Sequence, residues 1–357
     1  MDSKRFQSRL LEWYRASARD LPWRRAPGPG PGPGSAPPPD PYRVWLSEVM
    51  LQQTRVETVR RYWDRWLETF PTVASLASAS TEAVLSQWQG LGYYRRARNL
   101  QAGAIFIVEQ LGGAIPTTAE GWKTVPGVGP YTAGAIASIA FGEPVPAVDG
   151  NVLRVLSRWL ALERPIDSKE GRSAIDSLAA DLAAGPRPGA WTQALMELGA
   201  TLCTPTSPAC LLCPVSAGCA AAAMGEPARF PLKAKAKAPR EEHRFVLALR
   251  QPETGAEWWV QRDEQGLLGG LWEFPLLASL EAAEDVSDSL THHGDLLHIF
   301  THIRLSVTLC SAIEDPVEPP IPVGYQTGRW VLPDERESLP QSRLMRKLRE
   351  RLLLPPG

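Results

Sequence analysis

Apolar residues recur at three- and four-residue spacing through Val44, Trp45, Val49 and Leu51, and again through Val59, Tyr62, Trp66 and Phe70. That spacing puts them on one face of a helix. Residues 3 to 25 and 43 to 203 read mostly as helices on this rule, and alternating strand-like segments are scarce there. The pattern changes across 221–243, where proline, alanine and spaced lysines are combined. Beyond that stretch 245–249, 258–261 and 302–309 read as strands, several with period-two alternation, and 342–354 as a closing helix. A helical period cannot serve a sheet, so two domains are expected: a mainly α domain over 1–220, a linker over 221–243, and an α+β domain over 244–357. At 357 residues the chain is long enough for two cores.

Residues 26–41 are a Pro-Gly repeat with a Pro-Pro-Pro run, read as a loop that interrupts the helical domain without joining its core. Residues 1–240 carry 27 Lys+Arg against 20 Asp+Glu, a net of +7, while 241–357 carry 11 against 19, a net of −8. The first part therefore suits a polyanion. No apolar run approaches the roughly 20 residues needed to cross a bilayer, and the N-terminal stretch with Phe6, Leu10, Leu11 and Tyr14 lacks the apolar core of a secretory signal. No membrane association and an intracellular location are expected, cytoplasmic in a bacterium and nuclear in a eukaryote.

Two clusters point to chemistry. Gly127, Val128 and Gly129 form a glycine hairpin ahead of a helix-like stretch from Pro130, and Asp149 opens Asp149-Gly150-Asn151-Val152 twenty positions beyond Gly129. Glycines permit a tight turn whose amides face an anion at the start of the next helix, and a nucleic-acid backbone is the obvious anion. Cys203, Cys210, Cys213 and Cys219 fall within seventeen residues, separated by six, two and five. Without an export signal, disulfides do not explain such crowding, and a metal centre does, either zinc or a [4Fe-4S] cluster. Cys310 ends an alternating pattern and reads as a small buried hydrophobe.

The hairpin, Asp149 and the cysteine spacing together resemble the helix-hairpin-helix glycosylases of the endonuclease III superfamily. Within that group, Ser47-Glu48-Val49-Met50-Leu51-Gln52-Gln53-Thr54, Gly90-Leu91-Gly92-Tyr93-Tyr94 and Val148-Asp149-Gly150-Asn151-Val152 resemble the MutY family of adenine DNA glycosylases. The resemblance implies a helix-hairpin-helix glycosylase domain with an iron-sulfur loop, a [4Fe-4S] cofactor of structural or DNA-linked role, and a monomer acting on double-stranded DNA. The implied substrate is adenine mispaired with 8-oxoguanine or guanine.

Cleaving an N-glycosidic bond requires a proton for the leaving base and an anion for the cationic sugar. Glu48 and Asp149 match the family's pair. Val44, Val49 and Leu51 around Glu48 are expected to raise its pKa, and Asp149 is expected to cap the following helix, which favours its ionised form. By resemblance Asn151 orients Asp149, and Tyr131 supports the leaving-group region where strand-nicking relatives place a lysine able to form a Schiff base. Gln53 and Tyr93 match the wedge residues that fill the stack on extrusion. Trp23, Arg24, Leu51 and Gln193 align with the adenine pocket, with Thr54 and Leu91 in the same substrate-binding motifs.

Gly270-Leu271-Trp272-Glu273-Phe274-Pro275 resembles the lead-in to the Nudix motif, but no Arg-Glu-x-x-Glu-Glu helix follows. Glu281, Glu284, Asp285 and Asp288 have the wrong spacing to hold Mg2+, so the Nudix-like domain reads as a binding module. Phe300-Thr301-His302 stands where the family has the Phe-Ser-His tip that recognises 8-oxoguanine. Two other readings are an endonuclease III-like bifunctional glycosylase, opposed by Tyr131, and a non-catalytic iron-sulfur DNA-binding protein.

Overall fold

The computed structural model describes residues 3–24, 38–234, 238–264, 266–287, 289–300, 302–314, 319 and 321–352. Thr301, Asp288, Lys235, Lys237 and residues 26–37 of the Pro-Gly repeat lie outside them. The helices of the first two thirds are α1 Ser3–Ser17, α2 Pro41–Leu51, α3 Val56–Thr69, α4 Val73–Ala77, α5 Thr81–Trp88, α6 Arg95–Gln110, α7 Ala119–Lys123, α8 Pro130–Phe141, α9 Gly150–Leu160, α10 Lys169–Ala183, α11 Pro188–Thr201 and α12 Ala220–Ala223. Two compact units emerge: residues 1–78 with 99–236, and residues 79–98 with 237–357.

In the first unit a core of Phe6 and Leu10 from α1, Val152, Leu156 and Trp159 from α9, Ile175 and Leu182 from α10, and Trp191 and Leu198 from α11 is fully or nearly excluded from water. α2 packs on α3 and α8, and α8 on α11. Every residue of α2 from Val44 to Met50 is buried, which carries Glu48 inward with its apolar neighbours. Asp40 starts this helix by accepting from the Tyr42 amide at 2.9 Å, with Pro41 at the first helical position.

The helix-hairpin-helix is α7, the turn through Gly127 and Gly129, and α8. Gly127 takes φ +77°, and a Cβ there would lie 2.4 Å from Asn99 Cβ, so the turn requires glycine on both counts. Within α8, a Cβ on Gly134 would stand 2.2 Å from the Pro146 carbonyl oxygen. The returning chain thus runs directly over the helix and delivers Asp149 beside it.

Residues 221–234, read above as part of a linker, are instead packed into the first unit. Phe230 is 1% exposed, its carbonyl accepts from Arg158 Nε at 2.9 Å, and the Ile166 amide donates to Leu232 O at 2.9 Å. A buried aromatic anchors a stretch whose alanines and prolines suggested a free connection.

Among the described residues the second unit is built on a seven-stranded mixed sheet. Its strands are β1 Arg240–Arg250, β2 Glu257–Arg262, β3 Trp272–Glu273, β4 Leu276–Leu277, β5 Thr291–Ile299, β6 Ile303–Ile313 and β7 Tyr325–Val331, with the path β3-β2-β1-β6-β5, β4 on β1 and β7 on β2. β1 and β6 run parallel from Arg240↔Ile303 to Arg250↔Ile313; the other pairs are antiparallel. One core gathers Val246, Trp259, Phe274 and Val307 with Leu344, Met345 and Leu348 of α14 (Arg343–Arg351), and another gathers Leu247, Leu249, Val260 and Ala312 with Ala283 of the one-turn α13 (Glu281–Glu284). No helix among the described residues is long and apolar enough to cross a membrane.

Candidate active site

A cavity of about 600 Å³ opens in the first unit between α2, α8, α9 and α11. Glu48, Tyr131, Asp149 and Asn151 line it together with Trp23, Arg24, Leu51, Gln53, Thr54 and Gln193. Side chains singled out in the sequence are thereby brought to one hollow from separate helices and loops.

Glu48 is 8% exposed. Burial pushes its carboxyl up to about 7, the nearby Asp149 adding to the lift while the Tyr131 hydroxyl and Arg24 oppose it. The Tyr131 hydroxyl donates to Glu48 Oε2. Burial and both carboxylates hold that phenol well above its ordinary pKa, so it stays a donor.

Asp149 is the N-cap of α9. Its Oδ1 accepts from the Val152 amide at 2.7 Å and its Oδ2 from Asn151 Nδ2 at 2.7 Å. Burial raises its pKa, and the donors of Val152 and Asn151 and the charge of Arg154 pull it back. The cap expected from the sequence is present and its donors favour the ionised form, while desolvation by burial works against them.

Arg154 fixes the second layer. Its Nη2 donates to Asn151 Oδ1 (2.8 Å) and Gly199 O (2.7 Å), and its Nε to Cys203 O (2.8 Å). Because a guanidinium only donates, Asn151 must turn its oxygen to Arg154 and its NH2 to Asp149. Across the cavity, buried Glu197 receives Arg19 Nε (2.6 Å), Arg19 Nη2 (2.9 Å) and Arg24 Nη2 (2.9 Å). Gln193 accepts from Tyr14 OH at 3.3 Å and donates to Gly189 O at 3.3 Å.

Gln53 and Tyr93 both adopt left-handed backbone, φ 56° and φ 50°, a strained state for non-glycine residues that often marks a functional turn. Tyr93 is 52% exposed, whereas Leu91 is buried and frames the turn from inside. Phe300 and His302 sit at the β5–β6 hairpin, where the Phe300 amide donates to Ile303 O at 2.8 Å; Phe300 packs on the sheet core and on the His298 ring at 4.6 Å. Tyr93, Leu91, Phe300 and His302 belong to the second unit and do not line the cavity. Gly127, Val128 and Gly129 lie at the start of α8, two residues before Tyr131.

Cys203, Cys210, Cys213 and Cys219 share one apolar hollow with Val155, Trp159, Leu198 and Val215. Burial pushes the Cys213 thiol up to about 11, with the other three sulfurs adding to it, so the four sit within each other's field. Arg158 Nη1 donates to Cys203 Sγ at 3.3 Å. Four clustered sulfurs with a cation beside them suit an anionic thiolate-held cluster. Among the described residues no three His, Cys, Asp or Glu side chains are arranged to hold a single metal ion.

Residues 46–179 match the profile of the HhH-GPD superfamily base excision DNA repair proteins, and residues 245–351 that of the NUDIX domain. The adenine DNA glycosylase of Rattus norvegicus is 39% identical over 97% of this chain and 78% of its own length. The chain belongs to the adenine DNA glycosylase family. The Homo sapiens adenine DNA glycosylase is likewise 39% identical, over 96% of this chain and 73% of its own. Among solved structures, a thermostable thymine-DNA glycosylase superposes with a TM-score of 0.54 at 25% identity, over 62% of this chain and 97% of that one. This adenine DNA glycosylase family member is therefore a DNA glycosylase of base excision repair with a Nudix-like C-terminal domain.

Sequence reasoning missed three charged residues of the cavity. Glu197 and Arg19 stand 178 positions apart and meet only through the fold. Arg154 follows Asn151 by one helical turn, and that i, i+3 spacing from an N-terminal Asn was the available signal for the glycosylase's second layer.

Proposed function

We propose that the protein excises adenine paired with 8-oxoguanine, and with guanine, from double-stranded DNA, acting as a monomer without cutting the strand. Glu48, protonated near neutrality, gives its proton to the departing adenine; Tyr131 occupies Oε2, which leaves Oε1 to carry that proton. Asp149 faces the sugar as the cation develops, held by Val152 and by the Asn151–Arg154 pair. The observation that carries this reading is that one cavity of about 600 Å³ holds both carboxylates, Glu48 with its carboxyl pushed up to about 7 by burial and Asp149 held by the Val152 and Asn151 donors.

Trp23, Arg24, Leu51, Thr54 and Gln193 wall the extruded base, and Gln53 and Tyr93 fill the gap it leaves. The hairpin amides of 127–129 face the DNA phosphates. Phe300, Thr301 and His302 read the oxidised guanine. With Tyr131 in the place of a lysine, no amine stands there to form a Schiff base. Cys203, Cys210, Cys213 and Cys219 hold a [4Fe-4S] cluster, which braces the loop from 203 to 219 and carries none of the bond cleavage. The site of action is intracellular, cytoplasmic in a bacterium and nuclear in a eukaryote.

The test is base release from duplexes that differ only in the residue opposite adenine. Release fastest opposite 8-oxoguanine, next opposite guanine, and strand breaks only after alkali are expected. Breaks that form without alkali as fast as base is lost would contradict the monofunctional assignment.

A further inference from the structure

The turn bearing Tyr93 lies in the same compact unit as the hairpin of Phe300 and His302, although the two are remote in sequence. Two sets of contacts fix it there. Within the turn, Trp88 Nε1 donates to Gly92 O (3.0 Å), and Arg96 Nη2 donates to Gly92 O (3.0 Å) and Leu91 O (3.2 Å). The Arg96 guanidinium also lies over the Trp88 and Tyr93 rings, at 5.1 and 5.7 Å. Tyr93 is thus presented outward on a clamped backbone, and its neighbour turns inward.

Tyr94 is buried, and its hydroxyl donates to the Gln341 carbonyl at 2.6 Å. Gln341 is itself fully buried and bridges in parallel to Trp272 of β3, whose amide donates to Pro340 O at 2.9 Å. Its side chain donates to Arg336 O and accepts from Arg349 of α14 at 3.1 Å. The acceptor for Tyr94 is therefore part of the sheet framework. A second close approach stands beside it: a Cβ on Gly270 would lie 2.6 Å from Arg98 Nη1.

We infer that Tyr94 and Arg96 are positioning residues that mount the wedge Tyr93 on the C-terminal unit, so that seating this unit on an oxidised guanine drives Tyr93 into the base stack and helps extrude the opposing adenine. The inference rests on the proposed 8-oxoguanine reading. Extrusion is uphill and must draw on binding made elsewhere. A wedge on a loose loop would dissipate that binding in loop motion, whereas a wedge fastened to the reading unit moves with it. Opposite plain guanine the unit seats less firmly, and the wedge receives less drive.

The experiment compares wild type, Tyr94→Phe and Arg96→Lys. Single-turnover adenine release is measured opposite 8-oxoguanine and opposite guanine, and extrusion is followed by the fluorescence of 2-aminopurine placed at the target position. Tyr94→Phe removes the hydroxyl that donates to Gln341. It is expected to cut the 8-oxoguanine-over-guanine rate ratio at least fivefold and to reduce the fluorescence rise, while the rate opposite guanine changes less than twofold. A purely structural role would lower the active fraction, read as burst amplitude, and leave the ratio intact.

If Tyr94→Phe yields no folded protein, Arg96→Lys decides by the same ratio, because a lysine keeps the charge but not the forked donation to the turn. A wild-type advantage that the folded variant keeps overturns the mount alone. A wild-type protein that shows no advantage opposite 8-oxoguanine overturns the mispair reading, and the coupling with it.

Discussion

Replacing Glu48 by Gln tests both the chemistry and the burial that tunes it. Moving a carboxyl group from 4.5 to about 7 makes its ionisation in the folded protein about 3 kcal/mol harder, at roughly 1.4 kcal/mol for each tenfold change in acidity. Between these two pH values the folded chain keeps a proton that the unfolded chain has released. Stability therefore falls as pH rises through this window, by about 3 kcal/mol in all, and levels off above the folded value. The glutamine of the variant has no proton to lose and keeps an acceptor for Tyr131. Denaturant unfolding at pH 5 and pH 8 should accordingly show the variant gaining on wild type by about 2 to 3 kcal/mol at the higher pH. In parallel, single-turnover base release by wild type should decline above pH 7, approaching tenfold per pH unit as the acid form is titrated away, and the variant should release no adenine. A stability difference that is the same at both pH values, or a wild-type rate that stays flat from pH 6 to 9, would refute the assignment of a buried, protonated Glu48.

Three further substitutions probe what holds the site. Glu197→Gln leaves Arg24 and the partly exposed Arg19 without their buried carboxylate, and should lower stability in urea by about 3 kcal/mol, most of it from the Arg24 side. Arg154→Gln frees the Asn151 amide to rotate, and a misplaced Asp149 should slow single-turnover base release roughly 10- to 100-fold while a gel-shift or anisotropy titration shows little change in DNA affinity. Gly134→Ala puts a methyl group where Pro146 O now stands at 2.2 Å from the Cβ position; a stability loss of about 1–3 kcal/mol by thermal unfolding, with slower base release, is expected because the displaced segment leads into Asp149.

Local signals carried much of this into the sequence. The glycines of 127–129 are demanded by the turn itself, and Asp149 caps α9 through contacts within three residues, so both leave marks that spacing reveals. The apolar neighbours of Glu48 likewise announce its burial. What stayed hidden depends on tertiary meeting. The Arg19–Arg24–Glu197 cluster joins α11 to the N-terminal stretch, and no spacing rule connects charges 178 residues apart. Segment 79–98 has helical periodicity like its surroundings, and only the Tyr94–Gln341 bond and its neighbours reveal that it packs with the C-terminal sheet. β5 and β7 also escaped notice. β5 opens with Thr291-His292-His293-Gly294-Asp295 and shifts register between His292 and Asp295, and β7 carries Gly328 where a Cβ would strike the Trp258 ring at 2.3 Å. Polar or glycine-bearing edges blur the alternation that marks a strand.

In the proposed reaction one buried acid, Glu48, and one half-buried carboxylate, Asp149, divide the work on a single extruded adenosine. Its most direct measurement is single-turnover adenine release from an A:8-oxoguanine duplex by wild type, Glu48→Gln and Asp149→Asn, with DNA affinity measured on the same duplex. Both variants should bind DNA nearly as well as wild type, since a carboxylate supplies no affinity for phosphate, and should release adenine at least about a thousandfold more slowly. Either variant releasing adenine at close to the wild-type rate would contradict it.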